Sequence, residues 1–299
     1  MHRLILVMAL AAAAPAPWAE APPPPVREPA TAGAAAPAPP TRQEQEQFLR
    51  EADMVKVRGV RKGITGTQQA TMSDGTRTHD VSIQAVNESR SNVRLAHGFE
   101  LQFRDYWGYN VAAARLGAMI ALPMVPPSVE RRFRGDAAAY TWWVDDVLMD
   151  EMQRRKDHRP PPNIVAWNAQ QWMMLVFDEL IANVDRNQGN MLIDTRWRLW
   201  LIDHSRSFRT NATLRNPRAL LHCDRKVFER LQTLTRASLQ EALGAYLTGW
   251  EIDALLKRRD ALVARFTALG PRALFDLESV VRRAARPPKA SAAPPAGRP

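Results

Sequence analysis

Cysteine is nearly absent from this chain, since Cys223 is the one cysteine among 299 residues. A single thiol excludes an internal disulfide. No histidine and asparagine can be assigned as its catalytic partners, so we predict that Cys223 is a buried structural thiol. The 6 histidines show neither an H-E-x-x-H pattern nor a comparable spacing. The chain therefore lacks the signature of a histidine-bound metal.

Apolar runs long enough to cross a bilayer are also missing, because a transmembrane helix needs ~20 apolar residues. Residues 4–14 form an apolar run that follows a short basic start, Met-His-Arg. This pattern predicts a secretory signal peptide over residues 1–21, export to the periplasm or beyond, and no transmembrane span. Cleavage after Ala16, Ala19 or Ala21 stays open, as does the alternative of an ordinary alanine-rich leader.

The net charge of the chain limits the classes of molecule that it is expected to bind. The net charge of +10 suits phosphate-bearing ligands or anionic surfaces. No basic stripe is interleaved with aromatic residues, so we expect no nucleic-acid partner.

Residues 22–42 and 286–299 are rich in proline and alanine and poor in large apolar residues. They predict a disordered linker and a disordered tail around one folded region.

Three polar residues stand at an informative spacing between residues 183 and 208. Asp185 precedes Asn190 by 5 positions, and Asn190 precedes Asp203 by 13. Residues 191–194 and 198–202 predict two short strands around a polar turn. At ~3.3 Å per residue, the chain runs out ~13 Å and returns, which brings Asp203 beside Asn190. Phosphoryl transfer needs such a set, with one carboxylate for the attacking hydroxyl and an amide and a second carboxylate for magnesium.

A calcium-binding loop and a purely structural turn are the two other interpretations of this segment. A calcium loop that starts at Asp185 requires glycine at its sixth position and glutamate at its twelfth, where this chain has Asn190 and Arg196. The calcium interpretation therefore fails. Asp and Asn also cap turns and tolerate left-handed backbone, so a purely structural turn stays open.

The run Asp185-Arg-x-x-x-Asn190 and the later Ile-Asp203 resemble the catalytic and metal-binding loops of the atypical kinases. This superfamily includes phosphoinositide kinases, HipA-type toxin kinases and secretory-pathway kinases. More of the chain, residues 45–280, resembles a bacterial branch of this superfamily through five short sequence segments. These are Gly63-Ile-Thr, Ser73-Asp-Gly-Thr, Ala112-Ala-Ala-Arg-Leu, Met124-Val-Pro-Pro-Ser-Val-Glu-Arg and Trp142-Trp-Val-Asp.

The resemblance implies an α+β, two-lobed kinase-like fold, with a β-rich N-lobe over residues 43–144 and a mostly helical C-lobe over 145–285. It implies transfer of the ATP γ-phosphate to a hydroxyl acceptor, which can be a protein, a lipid or a small molecule. Asp185 would orient that hydroxyl, while Asn190 and Asp203 would hold Mg²⁺. Arg186 would steady the loop or neutralise phosphate charge.

The small-lobe pattern departs from that of active kinases. Kinases pair a lysine on a strand with a glutamate on a helix, and the lysine holds the nucleotide phosphates. The corresponding positions are Gln84 and Asn110, whose amides can hydrogen-bond to each other. Phosphate contacts would then come from the backbone of Gly63-Ile-Thr-Gly66 or from neighbouring cations, namely Lys56, Arg58, Arg61 and Lys62. The departure also favours an alternative, a catalytically inactive kinase-like binding module.

The periodicity of apolar residues predicts the remaining elements. Helices are predicted over 44–52, 105–122, 167–181, 226–242, 249–269 and 274–285, and strands within 54–88, 129–134 and 140–144. His204 and Ser205 follow Asp203 but would point to opposite faces of an extended chain, which argues against a hydrolytic triad.

Overall fold

The computed structural model describes residues 39–59, 67–95 and 98–284. Four parts of the predicted organisation lie outside these residues: the signal peptide, nearly all of the linker, the Gly63–Gly66 turn and the C-terminal tail.

The described residues form eight α-helices and twelve strands. The helices are α1 (Arg42–Glu51), α2 (Gly108–Met119), α3 (Glu151–Lys156), α4 (Ile164–Leu180), α5 (Arg225–Thr233), α6 (Arg236–Leu243), α7 (Gly249–Leu269) and α8 (Leu277–Ala284). The strands are β1 (Asp53–Gly59), β2 (Gln68–Ser73), β3 (Thr78–Gln84), β4 (Asn87–Leu95), β5 (Gly98–Tyr106), β6 (Ser128–Phe133), β7 (Asp136–Trp142), β8 (Val147–Asp150), β9 (Met191–Asp194), β10 (Leu199–Leu201), β11 (Cys223–Asp224) and β12 (Leu274–Phe275).

An antiparallel sheet in the order β1-β2-β3-β7-β6 forms the first half of the fold. Side chains alternate between the two faces of a strand. Ala138, Tyr140 and Trp142 on β7 accordingly face a core that includes Phe48 and Leu49 of α1. Their neighbour Ala139 faces the opposite way, into the larger core with α2. The sheet is therefore covered by helices on both faces.

Helix α2 belongs to the same hydrophobic core as the helices of the second half. Val111 and Leu116 are completely buried in a cluster that also contains Phe177 of α4 and Leu255 of α7. The Tyr109 hydroxyl donates a hydrogen bond to Glu251 at the start of α7. The start of α2 is thus anchored to α7.

Two predicted helices begin or break differently from the sequence prediction. The predicted helix 105–122 starts only at Gly108, because β4 and β5 form a hairpin that runs to Tyr106. The predicted helix 226–242 is two helices, α5 and α6. Thr235 separates them because its side chain accepts from the Ser238 backbone N–H and starts a new capping box.

The last two predicted helices are present, one with the predicted bounds and one with a later start. Helix α7 spans the predicted residues and begins with a capping box in which Thr248 accepts from the backbone N–H of Glu251. The predicted helix 274–285 is shorter, because Leu274 and Phe275 form a strand parallel to β11. Within the described parts of the chain, no helix is long and apolar enough to cross a membrane.

Candidate active site

A three-stranded antiparallel sheet, in the order β10-β9-β8, brings two of the predicted metal ligands together. β9 pairs with β10 from Met191 opposite Leu201 to Ile193 opposite Leu199. Beyond the last pair, the Ile202 backbone N–H donates to the Asn190 carbonyl over 3.1 Å. The predicted hairpin is confirmed, and it places Asp203 one residue beyond the position opposite Asn190.

Asp203 adopts left-handed backbone, with φ 52°. This conformation is uncommon outside glycine but is tolerated by Asp, whose short side chain bonds locally. Because the chain turns here, the Ser205 hydroxyl lies 3.0 Å from Asp203 Oδ1 and donates to it. The premise of an extended chain at this point was therefore wrong.

A hydrolytic triad is nevertheless not formed by these neighbours. His204 is buried and stands edge-on to the ring of Phe177, with centroids 5.7 Å apart. Burial lowers the pKa of His204 well below its ordinary value, so its ring is neutral near pH 7. Its Nε2 has no hydrogen-bond partner among the described residues.

Asp185 has a partly exposed side chain. Its side chain is 41% exposed, and Oδ1 lies 3.9 Å from a guanidinium nitrogen of Arg206. The Asn190 side chain donates to the Asp185 carbonyl over 3.4 Å, which ties the two ends of the loop together. A partly exposed carboxylate can accept a proton from a bound molecule.

Arg186, unlike Asp185 before it, has a buried side chain. Its side chain is 8% exposed and forms an ion pair with the buried Asp178 of α4, with Nε 3.0 Å from Oδ2. Its Nη1 donates to the carbonyls of Asn190, over 3.0 Å, and Ile202, over 2.7 Å. Of the two predicted roles, these bonds support the steadying of the loop, because they clamp both ends of the β9–β10 hairpin.

The two amides that replace the charged kinase pair are in contact. Asn110 Nδ2 donates to Gln84 Oε1 over 2.5 Å, and Gln84 Nε2 donates to Asp203 Oδ1 over 3.4 Å. Asn110 Oδ1 accepts from the backbone N–H of His204 over 2.8 Å. The predicted contact between Gln84 and Asn110 is confirmed, and it reaches the loop that carries Asp203.

Only some of the residues predicted to contact the nucleotide phosphates are described by the structure. Gly63, Gly66, Arg61 and Lys62 lie outside the described residues. Lys56 and Arg58 are exposed on β1, an edge strand of the sheet.

The donor set fits a magnesium ion that also binds nucleotide phosphates. In the described part of the chain, no group of three or more His, Cys, Asp or Glu side chains is arranged to hold a metal ion. Magnesium does not require such a cage, since it usually binds one or two carboxylates and completes its shell with water and substrate phosphates. Asp203 supplies a carboxylate and Asn190 an amide oxygen.

Three carboxylates near the site were not recognised from the sequence. Asp178 and Glu179 are buried in the last turn of α4, where Glu179 accepts from the backbone of Arg215 and Asn216. Acidic residues at a helix C-terminus oppose the helix dipole. That unfavourable position was a usable signal that they have specific partners. Asp105, at the end of β5, carried no such signal.

Comparison with known proteins supports the fold. The crystal structure of the Golgi casein kinase is similar, with a TM-score of 0.54 and 12% sequence identity over 78% of this chain and 77% of that chain. The crystal structure of a Helicobacter pylori proinflammatory kinase, CtkA, has a TM-score of 0.44 and 9% identity over 79% of this chain and 96% of that chain. No protein-family model and no curated protein sequence matches this chain.

The likeness to the Golgi casein kinase confirms the predicted α+β kinase-like fold. At 12% identity this likeness shows the fold alone, so membership of the atypical kinase superfamily stays a prediction. The bacterial branch, the lobe boundary at residue 144 and the roles of the individual site residues stay predictions.

Proposed function

We propose that this protein is an ATP-dependent, kinase-like phosphotransferase that acts on a hydroxyl acceptor. The observation that carries the proposal is the convergence of Asn190 and Asp203 at the open end of one hairpin, with Asp185 exposed at the start of the same loop. A carboxylate for the acceptor hydroxyl, with an amide and a second carboxylate for magnesium, is the set of side chains that phosphoryl transfer uses.

Each residue has a role that its surroundings permit. Asn190 and Asp203 would hold Mg²⁺, which neutralises charge on the nucleotide phosphates. Asp185 accepts the proton of the acceptor hydroxyl. The acceptor oxygen bonds to the γ-phosphorus while the bond from that phosphorus to the β,γ-bridging oxygen breaks, so ADP leaves. Arg186 acts indirectly, because its bonds position the loop.

The amide pair favours a second candidate, a kinase-like binding module without catalytic activity. Oε1 and Nε2 of Gln84 both bond within the protein, and an amide offers phosphate a dipole where lysine offers a charge. The predicted export to an ATP-poor compartment would favour this candidate as well. The acceptor can be a protein, a lipid or a small molecule.

A magnesium-dependent nucleotide titration on the full chain separates the two candidates. Wild type should bind ATP only with Mg²⁺ and turn it over to ADP. Asp203→Asn should weaken Mg-ATP binding more than tenfold, because it removes the charged ligand. Asp185→Asn should bind Mg-ATP with wild-type affinity but lose turnover, since an amide is a poor proton acceptor.

The outcomes differ for each candidate. Binding without turnover in wild type would favour the binding module. Equal Mg-ATP affinity in wild type and Asp203→Asn would remove Asp203 from the site. No binding of Mg-ATP to wild type would reject the phosphotransferase.

A further inference from the structure

Asp105 is a buried carboxylate that the proposed reaction does not yet use. It is 6% exposed and lies at the end of β5, three residues before α2 begins. Its Oδ1 has no hydrogen-bond partner among the described residues. A buried oxygen of an ionisable group is costly to leave unsatisfied. This atom therefore requires a physical explanation.

The surroundings of Asp105 place it beside the predicted metal ligand. The backbone N–H of Tyr106 donates to the Ser205 carbonyl over 2.9 Å, which fixes the end of β5 against the Asp203 loop. The Ser205 hydroxyl interacts with the carboxylates of both Asp105 and Asp203. A hydroxyl has one proton, so a proton donated to Asp203 cannot also satisfy Asp105.

Two carboxylates that share one serine repel each other unless a cation or a proton joins them. Asp105 is buried, and Arg206 is a cation close enough to act on its carboxylate. Arg206 is also the cation near Asp185, with 3.9 Å between Nη1 and Oδ1. Arg206 is thus shared between Asp105 and Asp185.

We propose that Asp105 is the second carboxylate ligand of the metal ion held by Asp203, an assignment that rests on the proposed function. Two carboxylates with phosphate oxygens and water match the usual magnesium shell. The assignment explains the unpaired Oδ1, which would face the cation. The metal would add a second link between β5 and the Asp203 loop to the hydrogen bond that already joins them.

The competing explanation is that Asp105 is a neutral structural acid. Asp105→Asn distinguishes the two, because the amide has nearly the shape of the protonated acid but cannot supply a negative charge. Manganese(II) with ADP is a suitable probe, since its binding to the full chain can be followed by electron paramagnetic resonance and by calorimetry without any turnover.

We expect Asp105→Asn to weaken binding of Mn-ADP at least tenfold. Without metal, the variant should unfold at the same temperature as wild type or higher, because a buried charge beside Asp203 is gone. Glu88→Gln is the matched control: Glu88 pairs directly with Asp105 across the β4–β5 hairpin but is 51% exposed. Its affinity for Mn-ADP should stay within about twofold of wild type.

Wild-type affinity in Asp105→Asn would overturn the assignment and leave the proposed function intact. An equal loss in Glu88→Gln would also overturn it, since a general charge effect would then suffice. Failure of wild type itself to bind Mn-ADP would reject both proposals.

A second measurement does not depend on the folding of the variant. Fe²⁺ with ascorbate and peroxide cleaves the backbone close to a bound metal, so wild type should be cut near both Asp105 and Asp203. Cleavage near Asp203 alone would overturn the assignment of Asp105.

Discussion

The side chain of Asn110 donates to Gln84 over 2.5 Å and accepts from the backbone of His204 over 2.8 Å. One amide thus links strand β3, helix α2 and the loop that carries Asp203. A charged lysine–glutamate pair would make a similar link through an ion pair. Here the link is made by neutral amides, so it holds α2 and the Asp203 loop together without placing a positive charge beside Asp203.

A double-mutant cycle tests this link. Gln84→Lys places an ammonium near Asp203, whose Oδ1 is 3.4 Å from the present amide nitrogen, but leaves it without a partner on α2. Gln84→Lys with Asn110→Glu restores a charged pair and should bind nucleotide at least as tightly as wild type. Urea unfolding should show the single lysine variant to be less stable than the double variant. We expect a coupling on the order of 0.5–3 kcal/mol. Additive stabilities would contradict the contact.

Arg186 should matter for stability more than its loop position suggests. Arg186→Ala leaves Asp178 buried without its ion-pair partner, and the loss of one member of a buried pair costs about 3–5 kcal/mol. This loss is measured as the difference in the free energy of unfolding in urea between the variant and wild type. Arg236→Ala is the control, because that arginine pairs with Asp253 at an exposed site and should cost about 0–1 kcal/mol. Similar losses in both variants would argue against the clamp.

Cys223 should be unreactive in the folded protein. It is fully buried on β11, and burial raises the pKa of its thiol well above the ordinary value. A thiol reagent at pH 8 should label it only after unfolding. Because the folded pKa is the higher one, the unfolded chain loses the proton first above about pH 8.5, and stability should fall there. Cys223→Ala should remove that part of the alkaline loss; rapid labelling of the native protein would contradict the burial.

The predicted signal peptide leads to a test on cells. We expect the mature chain to begin between residues 17 and 22 and to fractionate outside the cytoplasm. Amino-terminal sequencing of the purified native protein reads the first residue directly. A cytoplasmic product that retains Met1 would reject export and would favour the ATP-using candidate over the binding module.

Local patterns determined much of what was predicted correctly. The hairpin that returns Asp203 to Asn190 follows from two short apolar runs around a polar turn, and those contacts lie within 14 residues of sequence. Helix α7 follows from apolar periodicity and from Thr248 and Glu251 at its start. The break at Thr235 was missed, although the threonine that causes it can be read as a cap.

The sequence by itself thus determined the β9–β10 hairpin and the long helix α7, because each depends on residues that are near one another in the chain. Only the tertiary structure decided which polar residues face one another. Arg186 became a buried clamp because α4 presents Asp178 to it. Asp105 reached the Asp203 loop because the β4–β5 hairpin ends against Ser205, 100 residues later in the chain. Such pairings depend on how separate elements pack and on what burial does to a charge, and the local sequence does not specify which residue will be the partner.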